Sequence, residues 1–253
     1  MIQFGTPEMA YYGDILIRAH PRLHEEGIEI LQRVATKGSR IIDMGSGQGA
    51  FAARMRDHGY NVTAIDKNPE DFRASDVDFV EVDFDNAAHV DAFLAAHAAS
   101  FDVVVGMEVI EHVENPWAYV RMLLTLAKAD GIVLLTTPNA GSIYSRMEFL
   151  LTGLFTHFSR GDYETSGHIN PLTMHELGLI AENVPARVLE FGTICRLPWI
   201  IVSRRIGTVL GTLFATLVRP FLGKEASGDI IYLVLQKQDG DRKSTRLNSS
   251  HAN

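Results

Sequence analysis

Residues 41–49 read Ile41-Ile42-Asp43-Met44-Gly45-Ser46-Gly47-Gln48-Gly49. An apolar pair runs into an acid, then into a loop with glycine at every second position. Glycine lets the chain turn sharply and lets a ligand lie against bare backbone. The helix that follows, from Ala50, aims its free N–H groups and positive dipole end into the same space, which suits an anionic group. Asp43 adds a negative charge beside that anion site. It would repel a pyrophosphate but not a ligand carrying both a carboxylate and an ammonium.

The same residues fit a dinucleotide fingerprint, Gly45-x-Gly47-x-x-Ala50, with Asp66 19 residues after Gly47 and near the spacing of a ribose-binding acid. That pattern alone leaves an NAD-dependent oxidoreductase open, and Asp43 argues against it. With Asp43 included, Leu23 to Lys237 resembles the class I S-adenosyl-L-methionine (SAM)-dependent methyltransferases, and Asp43–Gly49 is similar to their first motif.

The rest of the chain agrees with that frame. Strand and helix patterns alternate: strands at 40–44, 61–65, 78–82, 101–107 and 131–137, and helices at 23–35, 50–58, 87–98 and 116–128. Alternation of this kind predicts an α/β, doubly wound, mostly parallel sheet with helices on both faces. Phe101–Met107 is almost wholly apolar, as a central parallel strand should be. A helix over 171–183 and strands at 187–192 and 229–237 bring the expected count to seven. The predicted organisation is a single domain over 1–240 with two helical insertions. One, 141–170 after the fifth strand, is lid-like. The other, 194–228 after the sixth, is apolar.

The resemblance implies roles for the acids at the strand ends. Asp43 would accept from the methionine ammonium, and Gly45, Gly47 and Gly49 would let the methionine portion lie on the backbone. Asp66 would take both ribose hydroxyls. Asp83 would accept from the adenine amino group, with Phe84 walling the ring; the adjacent Asp85 is an alternative. Met107, or the backbone there, would flank the cofactor.

A second motif, Glu108-Val-Ile-Glu111-His112, follows the fourth strand and is similar to the corresponding segment of ubiquinone-pathway O-methyltransferases and small-RNA 2′-O-methyltransferases. In the latter group, two Glu and a His join a later His around a divalent ion. The matching positions are Glu108, Glu111 and His112, with His168 as the later ligand and His157 as a second candidate. Such a donor set suits Mg²⁺, Mn²⁺ or Zn²⁺. The alternatives are a metal-free general base, His112 oriented by Glu111, and a structural histidine. A hydroxyl acceptor needs one such base.

The chain has 253 residues, 23 basic and 31 acidic, for a formal charge of −8. Asp241–His251 reads as a translated sequencing-library adapter, so 241–253 is treated as an artefact tail. Without its three basic residues and one acid the charge is −10. Nucleic-acid binding rests on phosphate neutralisation, so this balance disfavours a nucleic-acid partner. The single cysteine, Cys195, cannot form an internal disulfide, which points to a reducing compartment such as the cytoplasm. Trp199, Arg204-Arg205 and the uncharged 13-residue run Ile206–Val218 are too short to span a bilayer, but suit an interfacial helix. A sheet-edge helix, an oligomer contact or a cap on the substrate pocket would fit as well. Peripheral membrane contact through 199–218 would match a lipid-like acceptor. The expected activity is O-methylation of a small or lipid-like acceptor, with a non-catalytic SAM-binding module as the other alternative.

Overall fold

The computed structural model describes residues 10–84, 86–197, 216, 217, 221 and 223–238. A short hairpin, β1 (Ala10–Tyr12) and β2 (Ile15–Ile17), precedes α1 (Leu23–Val34). Alternation then follows through β3 (Arg40–Met44), α2 (Ala50–Asp57), β4 (Asn61–Asp66), β5 (Asp78–Glu81), α3 (Ala87–His97), β6 (Phe101–Met107), α4 (Pro116–Leu126) and β7 (Ala127–Pro138). The chain continues through α5 (Ile143–Thr152), α6 (Arg160–Ser166), α7 (Met174–Glu182), β8 (Ala186–Arg196) and β9 (Gly228–Lys237).

The seven long strands form one sheet in the order β5-β4-β3-β6-β7-β9-β8. All pairings are parallel except those of β9, which runs antiparallel between β7 and β8. The expected doubly wound sheet is therefore present. Sequence order reverses between β3 and β6, and the crevice outside the carboxyl ends at such a switch point is where open α/β sheets bind ligands.

Alternation along each strand feeds two core layers. Ile42, Val104, Leu135 and Leu233 pack with α4 and α7 on one side. Ile41, Val105, Leu134 and Val234 pack with α1 and α2 on the other. Helix ends are set locally. Asn115 caps α4 by accepting from Ala118 N–H, ahead of Pro116 in the first turn, where a missing N–H costs nothing. Ser159 and Thr173 open α6 and α7 with capping boxes.

Two differences from the sequence reading stand out. The β1–β2 hairpin was not foreseen, because each strand has only three residues. β7 starts at Ala127 and β8 runs on to Arg196, both longer than expected. The 141–170 insertion is helical, as expected, and contains α5 and α6. The apolar segment at 199–218 lies outside the described residues except Thr216 and Leu217, as does the 241–253 tail. Among the described residues, no helix is long and apolar enough to cross a membrane.

Candidate functional site

At the tip of β3 the chain turns through Gly45 (φ 79°), Gly47 (φ 54°) and Gly49 (φ 86°). The three glycines serve different ends. A Cβ on Gly45 would come within 2.7 Å of Val109, and one on Gly49 within 2.5 Å of Phe72, so these two are required by packing. A Cβ on Gly47 would meet nothing within 4 Å. That open space is where a ligand can lie on the backbone. Gly47 N–H donates to Asp66 Oδ2 at 2.9 Å, and Asn68 N–H donates to Asp66 Oδ1 at 3.2 Å. Each carboxylate oxygen has a second lone pair, so Asp66 can still accept two hydroxyls.

Asp43 is 2% exposed, and its Oδ2 has no hydrogen-bond partner. Burial, reinforced by the charge of Asp66, pushes its carboxyl up to about 7. A buried acid with a vacant oxygen calls for a cationic donor. Asp83 and Phe84 are half-buried beyond β5, and the Val82 N–H bond to Asp66 O holds this loop against the tip of β4. Phe84 also packs on the α4-side core. Asp85 lies outside the described residues. The Met107 side chain packs beside Gly27 of α1, where a Cβ would come within 2.8 Å of its Cε.

The Glu108–His112 motif divides in two. Glu111 is fully buried; Thr137 Oγ1 donates to its Oε2 at 3.0 Å, and its Oε1 has no hydrogen-bond partner. Burial pushes its carboxyl up to about 8. His112 Nε2 lies 3.8 Å from Glu111 Oε1, and the His112 and His168 rings meet edge-on at 4.8 Å. Burial, then the neighbouring imidazole, lowers the His112 pKa; burial lowers that of His168. One donor atom from each of Glu111, His112 and His168 lies within 4.8 Å of the others.

Of the four ligands expected from the motif, Glu108 is the one outside this grouping. Its Oε1 accepts from Thr136 Oγ1 at 3.0 Å. Thr136 and Thr137 are consecutive on β7, so each carboxylate has its own hydroxyl donor, and burial followed by the charge of Glu111 raises the Glu108 carboxyl. His157, the second histidine considered, is not in the group either. Its Nε2 lies 3.6 Å from Asp229 Oδ2. Burial, the largest single influence, works against protonating it, but Asp229 together with the charges of Glu108 and Asp162 turns the net shift upward. Thr136, Thr137 and Asp229 were missed from the sequence. The signal was a Thr-Thr pair ending an otherwise apolar strand.

A family model described as a methyltransferase domain matches residues 17–191, well over half of the chain. The chain belongs to this methyltransferase family. It is 36% identical over 114 residues to a ubiquinone biosynthesis O-methyltransferase of Xanthomonas campestris pv. campestris, covering 44% of this chain and 47% of that protein. It is 28% identical over 153 residues to the enzyme of the same name from Psychrobacter cryohalolentis, covering 57% and 59%. The chain thus spans about half the length of the curated relatives it matches. A crystal structure of a SAM-dependent methyltransferase from Archaeoglobus fulgidus superimposes with a TM-score of 0.58 at 16% identity, over 85% of this chain and 94% of that one. That likeness is one of fold. SAM is the cofactor that the family implies, and the residues fit it: a vacant buried carboxylate for an ammonium, an open glycine surface, and a paired-oxygen acid for a diol.

Proposed function

We propose that the protein transfers the methyl group of SAM to an oxygen of a small or lipid-like acceptor. The observation that carries this reading is the unpartnered, buried Asp43 oxygen beside the open backbone at Gly47. A dinucleotide would bring a diphosphate to that carboxylate, whereas SAM brings an ammonium. When bound, the cofactor supplies an activated methyl group on a sulfonium. The protein aligns the acceptor, excludes water and takes one proton.

In this reading Asp43 holds the ammonium and Asp66 the ribose hydroxyls, with Asp83 and Phe84 at the adenine. His112 takes the acceptor proton at Nε2. Its lowered pKa keeps the imidazole neutral and ready to accept. Glu111, 3.8 Å away, is the group beside the ring that orients it, and in its ionised form it favours the imidazolium. A second reading has a specific observation behind it: the Glu111–His112–His168 grouping offers one carboxylate and two imidazoles to Mg²⁺, Mn²⁺ or Zn²⁺. A lipid-like acceptor is supported by the apolar run at 206–218 and by Leu150 and Leu151 of α5, 74% and 64% exposed. Liposome co-sedimentation with and without residues 199–218 tests peripheral membrane contact; equal partition removes it.

Calorimetric titration with S-adenosylhomocysteine and with NADH, each with Mg²⁺ and with chelator, tests the main reading. Binding of S-adenosylhomocysteine but not NADH is expected. Preference for NADH overturns it, and binding with no transfer to any acceptor leaves a SAM-binding module.

A further inference from the structure

Beyond the tip of β7 the chain builds a second concavity. Asn139, 4% exposed, and Ala140, 1% exposed, form the floor of a cavity of about 580 Å³. Its walls come from α5 with the loop after it, the start of α7, and the short turn Lys224–Ser227 ahead of β9. The floor holds these walls in place. Ala140 N–H donates to Leu172 O at 3.2 Å, next to the Thr173 cap of α7. Asn139 Nδ2 donates to Glu225 O at 2.7 Å and to Gly228 O at 2.9 Å, and its Oδ1 accepts from Gly141 N–H at 2.9 Å. Asn139 stands two residues beyond Thr137, so the cavity adjoins the rim of the Glu111 group without sharing a residue with it.

The lining combines a cation with an apolar wall. Arg146 of α5 is anchored at Nε, which donates to Gly141 O at 2.7 Å. Its guanidinium has no carboxylate partner among the described residues, so both terminal amino groups remain to donate. A guanidinium fixed in this way presents a planar fork that matches the paired oxygens of a carboxylate. Phe155 and Met174 supply the apolar wall, and Phe155 is braced by stacking on Phe149, with ring centroids 4.6 Å apart and planes 17° from parallel. An aromatic face beside a thioether suits an aromatic or aliphatic body. Glu225 also lines the cavity, and its charge disfavours a doubly charged phosphate against a singly charged carboxylate. The volume lies within the range of roughly 300–1,000 Å³ of small-molecule sites.

We propose that this cavity is a binding site for an organic monocarboxylate with an aromatic or aliphatic body, in which Arg146 takes the carboxylate and Phe155 and Met174 cover the body. The site shares no residue with the cofactor crevice, and the inference does not rest on the methyl-transfer reading.

The test titrates the full chain with 2-naphthoate at low ionic strength and follows binding by calorimetry. Parallel titrations use 2-naphthol, which has the same body without the charge at neutral pH, and 2-naphthyl phosphate, which carries a double charge. The variants are Arg146→Gln, Arg146→Lys and Phe155→Ala, each checked for folding by circular dichroism and urea unfolding. Arg146 is exposed, so its substitution leaves the core intact. The expected result is that 2-naphthoate binds the parent protein more tightly than either companion probe. Arg146→Gln should weaken it at least about tenfold, and Arg146→Lys, which keeps the charge but loses the fork, by less. Phe155→Ala should weaken 2-naphthoate and 2-naphthol alike. Failure of 2-naphthoate to bind the parent, or equal binding to Arg146→Gln, overturns the proposal. Tighter binding of 2-naphthyl phosphate overturns it as well, because the site would then be one for phosphate esters.

Discussion

The Gly47 amide donates to the Asp66 carboxylate at 2.9 Å, tying the glycine loop after β3 to the acid that ends β4. Two parts of one crevice are thereby held in register by a charge-assisted bond, which contributes about 1.5–3 kcal/mol. Asp66→Ala should lose both this anchor and a ribose contact, and weaken S-adenosylhomocysteine binding by at least about tenfold. Asp66→Asn, which can still accept from Gly47, should fall between. Calorimetric titration of the two variants checks the order.

The three glycines should fail in different ways when replaced. Gly49→Ala forces a Cβ to within 2.5 Å of Phe72 and 2.8 Å of Ala74 in a left-handed backbone, and should destabilise the fold by about 1–3 kcal/mol. Gly47→Ala meets nothing, so it should cost only about 1–2 kcal/mol for its positive φ. Its methyl group projects into the open space and should sharply weaken ligand binding. Urea unfolding alongside ligand titration separates the two.

Asp43 predicts a pH dependence of ligand binding. Its folded-state pKa is raised to about 7, above the unfolded value, so the folded protein holds the proton more tightly. Its contribution to ligand-free stability is therefore present at low pH and lost as pH rises toward about 7. The ammonium is bound by the ionised form. Affinity for S-adenosylhomocysteine should rise as pH approaches about 7, by up to about tenfold per unit, and level off above it. Binding near pH 6 should release a proton, visible as a buffer-dependent heat. Asp43→Asn should flatten the profile and lower affinity throughout.

Glu111 carries a test of burial. Thr137→Val removes the donor to Oε2 and leaves a fully buried carboxyl with no hydroxyl partner. The expected cost is about 1–3 kcal/mol in thermal or urea unfolding. Because the folded pKa is raised to about 8, parent stability should decline between about pH 5 and 8, and Glu111→Gln should lose that slope. An unchanged slope in the Gln variant would place the titration elsewhere.

If the imidazole pair takes a divalent ion, the geometry fixes which substitutions matter. His168→Ala should abolish saturable Mn²⁺ or Zn²⁺ binding, and Glu108→Gln should leave it within about threefold, because Thr136 holds Glu108 outside that grouping. Equal loss in both would restore a four-ligand set.

Much of this arrangement was legible in the chain before folding. The β3–loop–α2 unit was readable because the glycines, the acid and the helix start are consecutive residues. β6 was readable as a continuous apolar run. The division of the second motif was not. Glu108 and Glu111 are three residues apart in a segment that is neither strand nor helix, so no periodicity says which way each points. Their directions are set by Thr136 and Thr137 on a neighbouring strand, 28 and 26 residues away. The pairing of His157 with Asp229 joins residues 72 apart in sequence and leaves no local signal. The β1–β2 hairpin escaped notice because three-residue strands carry too little alternation to register.

The antiparallel course of β9 has a consequence for biogenesis. Because it runs against its neighbours, its first residues, Gly228 and Asp229, arrive at the same rim as the last residues of β6 and β7. Ile231, Leu233 and Leu235 are meanwhile fully or almost fully shielded from solvent between β7 and β8. A nascent polypeptide still lacking this strand would present β7 with a bare hydrogen-bonding edge and an apolar flank, a template for intermolecular association. Chaperone protection during synthesis should therefore be needed until Lys237 has left the ribosome, and release from it should coincide with delivery of Asp229 to His157.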